Sequence, residues 1–500
     1  MPSSLSTRGS SSLETFTNYA RPKINIELVN QADGLVNSYT SKDRIEGTAM
    51  VTVDRDTRFD EVDITFEGTA RTSVERSALP GRTGAYQTFL RLRQPIDDTL
   101  YPTPRVFEPG RTYQFPFTFV VPDRLLPHAC SHHKTNQHVG RSHTMVPPSL
   151  GDPMLASDGK SLLDDLSPEM CRVSYVIRVV VNRRSNSSRN DTKTLVSAGK
   201  KVRVVPVIDE EPPLNFTDQD SVYCTRREKD VKRGLMRSKL GRLVVTASQP
   251  KPVRLSPPNG ADSDIVSTAA TVHLRFDPVG SELPPRLGTV WSRLRASTFY
   301  SAEPWADYPS ASSALLWTQV GRGIYSETAP LSKLCVASAQ WTKHSAVTFD
   351  RCDSLQSTSS EDSLAASSTS PARQTYYTAS VVIPITLPTS KAFVPTFHSC
   401  LISRTYTLEL SISYHTPCAN LVSPSASLRV PIQLVSQPRL GGKGSELDIS
   451  QAEVNAEFFS PRRAPVTDSS PCPPPPEYTA LQGPILRPDQ GVGLLSAGQA

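Results

Sequence analysis

The chain has 500 residues, 54 Lys and Arg against 48 Asp and Glu for a net charge of +6, and a hydrophobic share of 37% diluted by 44 prolines. That length supports two or three folded blocks, and the low apolar share with abundant proline points to disordered segments around them. So small a net charge gives no reason to expect a nucleic-acid partner, and no apolar run reaches the ~20 residues that a membrane-spanning helix needs.

The first 22 residues are rich in Ser and Thr, lack the apolar run of a secretory signal, and read as a disordered N-terminus. From Lys23 the pattern turns to strand: Ile24, Ile26 and Leu28 alternate with Asn25 and Glu27. Further strands are predicted over residues 45–53, 62–66, 113–121, 173–182 and 202–207, the third marked by Phe115, Phe117 and Phe119 among polar or small neighbours. A second set is predicted over residues 243–247, 272–276, 379–387, 406–414 and 428–434. β-Branched and aromatic enrichment, frequent turns and the lack of a long helical period predict an all-β fold. The organisation expected is two tandem immunoglobulin-like β-sandwich domains, residues 23–212 and 213–437, joined near the acidic, proline-containing stretch at 209–213. A Ser/Thr-rich insertion near 354–370 and a Pro-rich tail over 438–500 read as disordered.

The tail carries Pro473-Pro474-Pro475-Pro476-Glu477-Tyr478. Consecutive prolines favour the extended polyproline II conformation, whose ring ridge fits the aromatic groove of a WW domain. In that mode Pro475 and Pro476 pack in the groove and Tyr478 docks its ring in a second pocket. Because the prolines are preorganised, little chain entropy is lost on binding, yet a single such motif binds weakly and gains from a second contact. Ser470, followed by Pro471, is a candidate phosphorylation site close enough to tune that docking through added negative charge.

Several segments resemble the arrestin family and are closest to the fungal arrestin-related trafficking adaptors. They are Ile45-Glu46-Gly47, the stretch from Val62 to Gly68, the stretch from Phe107 to Phe117 continuing to Val121-Pro122 and Leu126-Pro127, and the stretch from Val173 to Val179. In the second half Gly241-Arg242-Leu243 with Gln249-Pro250, and residues 406–414, resemble the arrestin C-domain, so the resemblance spans residues 23–437. It implies an arrestin-like pair of sandwiches and a cytoplasmic adaptor recruited peripherally to the plasma membrane or endosomes. Such an adaptor links transporter or receptor cargo to a WW-domain HECT-type ubiquitin ligase for ubiquitination and endocytosis. The alternative the same resemblance allows is an arrestin-fold signalling or vesicle-coat scaffold in which the PPxY motif is incidental. This chain shows one PPxY where the family commonly shows two.

Eight scattered cysteines form no CxxC pair and predict free thiols in a reducing compartment. His128, Cys130, His132, His133, His138 and His143 crowd into sixteen residues, but their spacing is not that of a zinc finger and no second Cys pair lies near. The expectation is therefore loop structure, with no metal and no cofactor. Arg226, Arg227, Lys229, Lys232, Arg233, Arg237 and Lys239 form a strip that suits either anionic lipid and acidic partners or a charged strand edge. Asp97-Asp98 and Asp164-Asp165 read as turn residues, and Lys200 and Lys201 as exposed. With no GxSxG elbow, phosphate loop or HExxH, no enzymatic activity is expected.

Overall fold

A computed structural model describes residues 22–31, 36–75, 81–152, 163–184, 192–211, 222–233, 238–256, 267–309, 321–347, 373–416 and 423–436. The segments expected to be disordered, at the N-terminus, near 354–370 and over 438–500, lie outside these residues, apart from Pro22.

Strand alternation drives the architecture. In the first half a three-stranded antiparallel sheet runs in the order β1 (Lys23–Leu28), β3 (Arg44–Thr52), β8 (Tyr113–Val120). It faces a five-stranded sheet ordered β2 (Ser38–Tyr39), β10 (Thr192–Val204), β9 (Cys171–Arg184), β5 (Glu61–Glu75), β6 (Arg82–Arg93). A small pair, β4 (Thr57–Arg58) with β7 (Val106–Phe107), closes one end. On β8, Tyr113, Phe115, Phe117 and Phe119 are buried while every residue between them is exposed, so the period of two seen in the sequence is a true inside–outside pattern. Opposite it on β3, Gly47 is a necessity, since a Cβ there would overlap the Glu27 carbonyl oxygen and the Phe117 ring.

The second half repeats the plan. One five-stranded sheet is ordered β11 (Arg226–Arg233), β12 (Ser238–Ala247), β14 (Ser267–Pro278), β18 (Arg373–Thr386), β17 (Thr342–Val347). The other runs β16 (Arg322–Cys335), β15 (Arg286–Ser301), β20 (Ile402–His415), β19 (Phe397–His398), with β21 (Ser425–Ile432) also on β20. A parallel pair, β13 (Val253–Leu255) with β22 (Leu434–Ser436), completes it. The fold is thus an all-β sandwich fold with two hydrophobic cores.

Each core borrows from the other half. The first takes Tyr300, Val394, Phe397, Cys400, Leu401 and Ile402; the second takes Leu166. Polar links follow the same seam: the Thr72 hydroxyl donates to the Ser301 carbonyl oxygen at 2.6 Å, and the Glu211 amide to Gln433 Oε1 at 2.9 Å.

Several strands run beyond their predicted limits, and four of the longer ones went unpredicted: β6, β11, β15 and β16. β6, β11 and β16 are sheet edges with little apolar alternation to reveal them. β15 is central, but Ser292, Ser297, Thr298 and Ser301 occupy its buried positions and mask the apolar period. No helix among the described residues is long and apolar enough to cross a membrane.

Candidate functional site

Pro475, Pro476, Tyr478, Ser470 and Arg237 lie outside the described residues. The other basic candidates lie on or beside β11, an edge strand. Arg226 pairs with Glu228 at 2.7 Å, Arg233 with Glu282 at 3.0 Å and Lys239 with Asp230 at 2.9 Å, while Arg242 from β12 closes on Glu228 as well. The Lys229 ammonium donates to the Ser425 carbonyl oxygen. Arg227 and Lys232 are exposed and make no ion pair among the described residues. Among the described residues much of the strip's charge is therefore paired locally, on an edge strand. Beside it an open cleft of about 640 Å³ on the sheet's outer face is lined by Arg226, Glu228, Arg242, Arg275 and Asp277 among others, with Arg275 and Asp277 paired at 2.9 Å. Lys200 and Lys201 are half-buried rather than exposed: the first donates to the Ile26 carbonyl oxygen at 3.0 Å, and the second pairs with the buried Asp152 at 2.8 Å.

Asp97 behaves as a turn residue: it caps a 3-10 turn (Asp98–Leu100), accepting from the Thr99 amide at 2.9 Å. Asp165 does likewise, accepting from the Ser167 amide at 3.1 Å.

The densest constellation of reactive side chains forms elsewhere. After Leu126, a proline-initiated 3-10 turn (Pro127–Cys130) brings Cys130 inward. A short helix, α1 (Gln137–His143), starts where Asn136 Oδ1 accepts from the Val139 amide at 3.0 Å and ends on the buried His143. The fourth member, Cys400, comes from the turn between β19 and β20, where the Ser399 hydroxyl donates to the Ile402 carbonyl oxygen at 2.7 Å. One ligand-type atom from each of Cys130, His132, His143 and Cys400 lies within 4.8 Å of all the others. Cys130 Sγ is 3.2 Å from His132 Nε2 and 3.7 Å from His143 Nδ1, and the two ring nitrogens are 3.3 Å apart.

The surroundings hold these groups in place. His132 Nδ1 sits 2.9 Å from the His133 carbonyl oxygen, which can only accept, so that nitrogen carries the proton and Nε2 presents a lone pair. The Lys134 ammonium donates to the Cys130 carbonyl oxygen at 2.6 Å, and Gln87, bonded to the Ala129 carbonyl oxygen at 2.9 Å, also bonds Cys400. Burial pushes His143 down to about 3, helped by the charges of His132, His398 and Lys134, so its imidazole is neutral at ordinary pH. Burial, reinforced by Cys130, pushes the Cys400 thiol up to about 12. His143 Nε2 is buried without a partner among the described residues, so Nδ1 is that ring's only polar anchor.

Of the six residues that crowd together in the sequence, the structure turns three inward and leaves His128, His133 and His138 exposed. Cys400 is the residue that sequence reasoning missed. No spacing rule could pair it with a loop 270 positions earlier.

No protein-family model matches the chain, and neither does any curated protein.

Proposed function

We propose that the chain is a non-enzymatic adaptor whose arrestin-like body engages transporter or receptor cargo and whose tail recruits a WW-domain HECT-type ubiquitin ligase, directing the cargo to ubiquitination and endocytosis. The observation that carries this reading is Pro475-Pro476-Glu477-Tyr478, a preorganised proline ridge followed by a Tyr at the spacing a WW groove accepts. The β-sandwich body adds support, because segments that carry the arrestin resemblance fall on β3, β5, β8 and β9. The adaptor works from the cytoplasmic face of the plasma membrane or endosomes, with Arg227 and Lys232 available to anionic lipid.

The test is a titration of the full-length chain against isolated WW domains, with Tyr478→Ala as the comparison. The substitution should weaken binding by about tenfold or more, or roughly 1.4 kcal/mol. Equal binding by both chains would overturn the tail mechanism. In cells, cargo ubiquitination should fall with the same substitution.

A further inference from the structure

We propose that Cys130, His132, His143 and Cys400 form a closed, tetrahedral zinc site that staples the loop following Leu126 to the turn between β19 and β20.

Geometry is the first support. Around a tetrahedral zinc, with Zn–N near 2.0 Å and Zn–S near 2.3 Å, two ring nitrogens stand about 3.3 Å apart and a nitrogen and a sulfur about 3.5 Å. Here the two nitrogens are 3.3 Å apart, and the Cys130 sulfur stands 3.2 and 3.7 Å from them. Cys400 Sγ closes the set within 4.8 Å of every other member.

Proton counting is the second. The atoms Cys130 Sγ, His132 Nε2 and His143 Nδ1 make three mutual close contacts. His132 already spends its ring proton on the His133 carbonyl oxygen. A thiol proton and one on His143 Nδ1 serve two of the three contacts at most, leaving lone pairs facing one another in a buried site. A cation accepts all of them at once.

The donor set also selects the metal. Two thiolates and two neutral imidazoles are the soft, borderline ligands that zinc takes in four-coordinate structural sites. The thiolate pair balances the dication, Lys134 sets a positive charge beside them, and the His133 carbonyl and Gln87 orient a ligand each, as outer partners of metal sites do. With four protein ligands there is no open position, so the site holds structure and binds no substrate. Its position gives it something to hold: the same loop donates from the Thr135 amide to the Ala306 carbonyl oxygen at 2.9 Å and joins Ser142 to the Tyr308 hydroxyl at 2.8 Å. Metal binding therefore couples the loop to residues of the second half, and zinc stabilises the packed seam by mass action.

Metal analysis of the purified full-length chain should find about one zinc per chain, falling below roughly a tenth in Cys400→Ser and in His143→Ala. Cys335→Ser, at an exposed cysteine, should retain it. To keep the test decisive even where a ligand variant fails to fold, the unsubstituted chain is also loaded with Co(II). It should show tetrahedral d–d absorption with a sulfur-to-cobalt charge-transfer band. Absence of both zinc and that cobalt spectrum in the unsubstituted chain would overturn the site. So would a Cys130–Cys400 disulfide in the intact mass, or undiminished zinc in a folded Cys400→Ser chain.

Discussion

Arg404, fully buried on β20, donates through Nη2 to the carbonyl oxygen of Leu166, 3.1 Å away in the other half of the chain. The same nitrogen reaches the Asp165 carbonyl oxygen at 3.2 Å, while Nε and Nη1 have no partner among the described residues. A buried guanidinium so incompletely satisfied carries a desolvation cost that its two bonds only partly offset. Arg404→Ala should lose about 3 kcal/mol by removing both bonds and opening a cavity. Arg404→Met keeps most of the volume and deletes the charge, so it should cost less, about 1 kcal/mol. Urea midpoints decide it; equal damage from the two would mean that the charge matters and the packing does not.

A second link across the same seam is pH-dependent. Lys391 Nζ meets Asp164 at 2.6 Å and Glu327 at 3.5 Å. Burial works to raise the Asp164 carboxyl, but the Lys391 ammonium and the Leu166 amide outweigh it and hold the group below its ordinary range. Lys391 is raised in turn, chiefly by its bond to Asp164. A depressed carboxylate adds stability above its unfolded pKa and loses it as pH falls through the folded value; a raised ammonium loses its share as pH climbs through its own folded value. The pair is half-exposed, so Lys391→Met should cost about 0.5 kcal/mol near neutrality. That cost should fade in acid below the ordinary carboxylate range. A cost that stays constant with pH would assign Lys391 to packing alone.

Gly47 supplies a test of the N-terminal sandwich. Gly47→Ala drives a methyl into the Glu27 backbone and the Phe117 ring, where β1 and β8 flank β3. Overpacking of this kind should cost roughly 1–3 kcal/mol, read from thermal or denaturant unfolding. Gly110→Ala meets no atom but sits at φ +78°, so its smaller penalty should come from backbone strain alone.

How much of this was legible follows from particular residues. The aromatic alternation of β8 was plain because its outward positions are polar or small and its inward ones are all rings. β15 was hidden because buried hydroxyls interrupt its apolar period, and two of them pair with hydroxyls on β16: Ser292 with Ser332 at 2.7 Å, Ser297 with Ser326 at 3.1 Å. Paired that way, Ser is as acceptable in a sheet interior as Ala, and hydropathy does not register it. The Cys/His cluster was half-legible. Three of its members share a loop, but the fourth sits in the hairpin turn between β19 and β20, and the packing that brings this turn against a loop 270 positions earlier is encoded by no local pattern. Of the basic strip, composition gave the charges and only the structure gave their partners.

β11 carries the last prediction. It is a sheet edge with no strand partner besides β12 among the described residues, and such an edge is a template for pairing with a second chain. Arg227 and Lys232 are its exposed charges without ion pairs among the described residues, whereas Arg226, Lys229 and Arg233 are tied down locally. Guarding the edge therefore falls mainly to these two. Replacing both with Val keeps β-propensity high and removes the charge, so the double variant should self-associate at concentrations where the unsubstituted chain stays dispersed. Light scattering against concentration reads the effect directly. Because neither side chain is buried, the unfolding midpoint in dilute solution should move by no more than about 0.5 kcal/mol. A double variant that stays dispersed while losing affinity for anionic vesicles would instead assign these charges to the membrane, at about 1 kcal/mol for each.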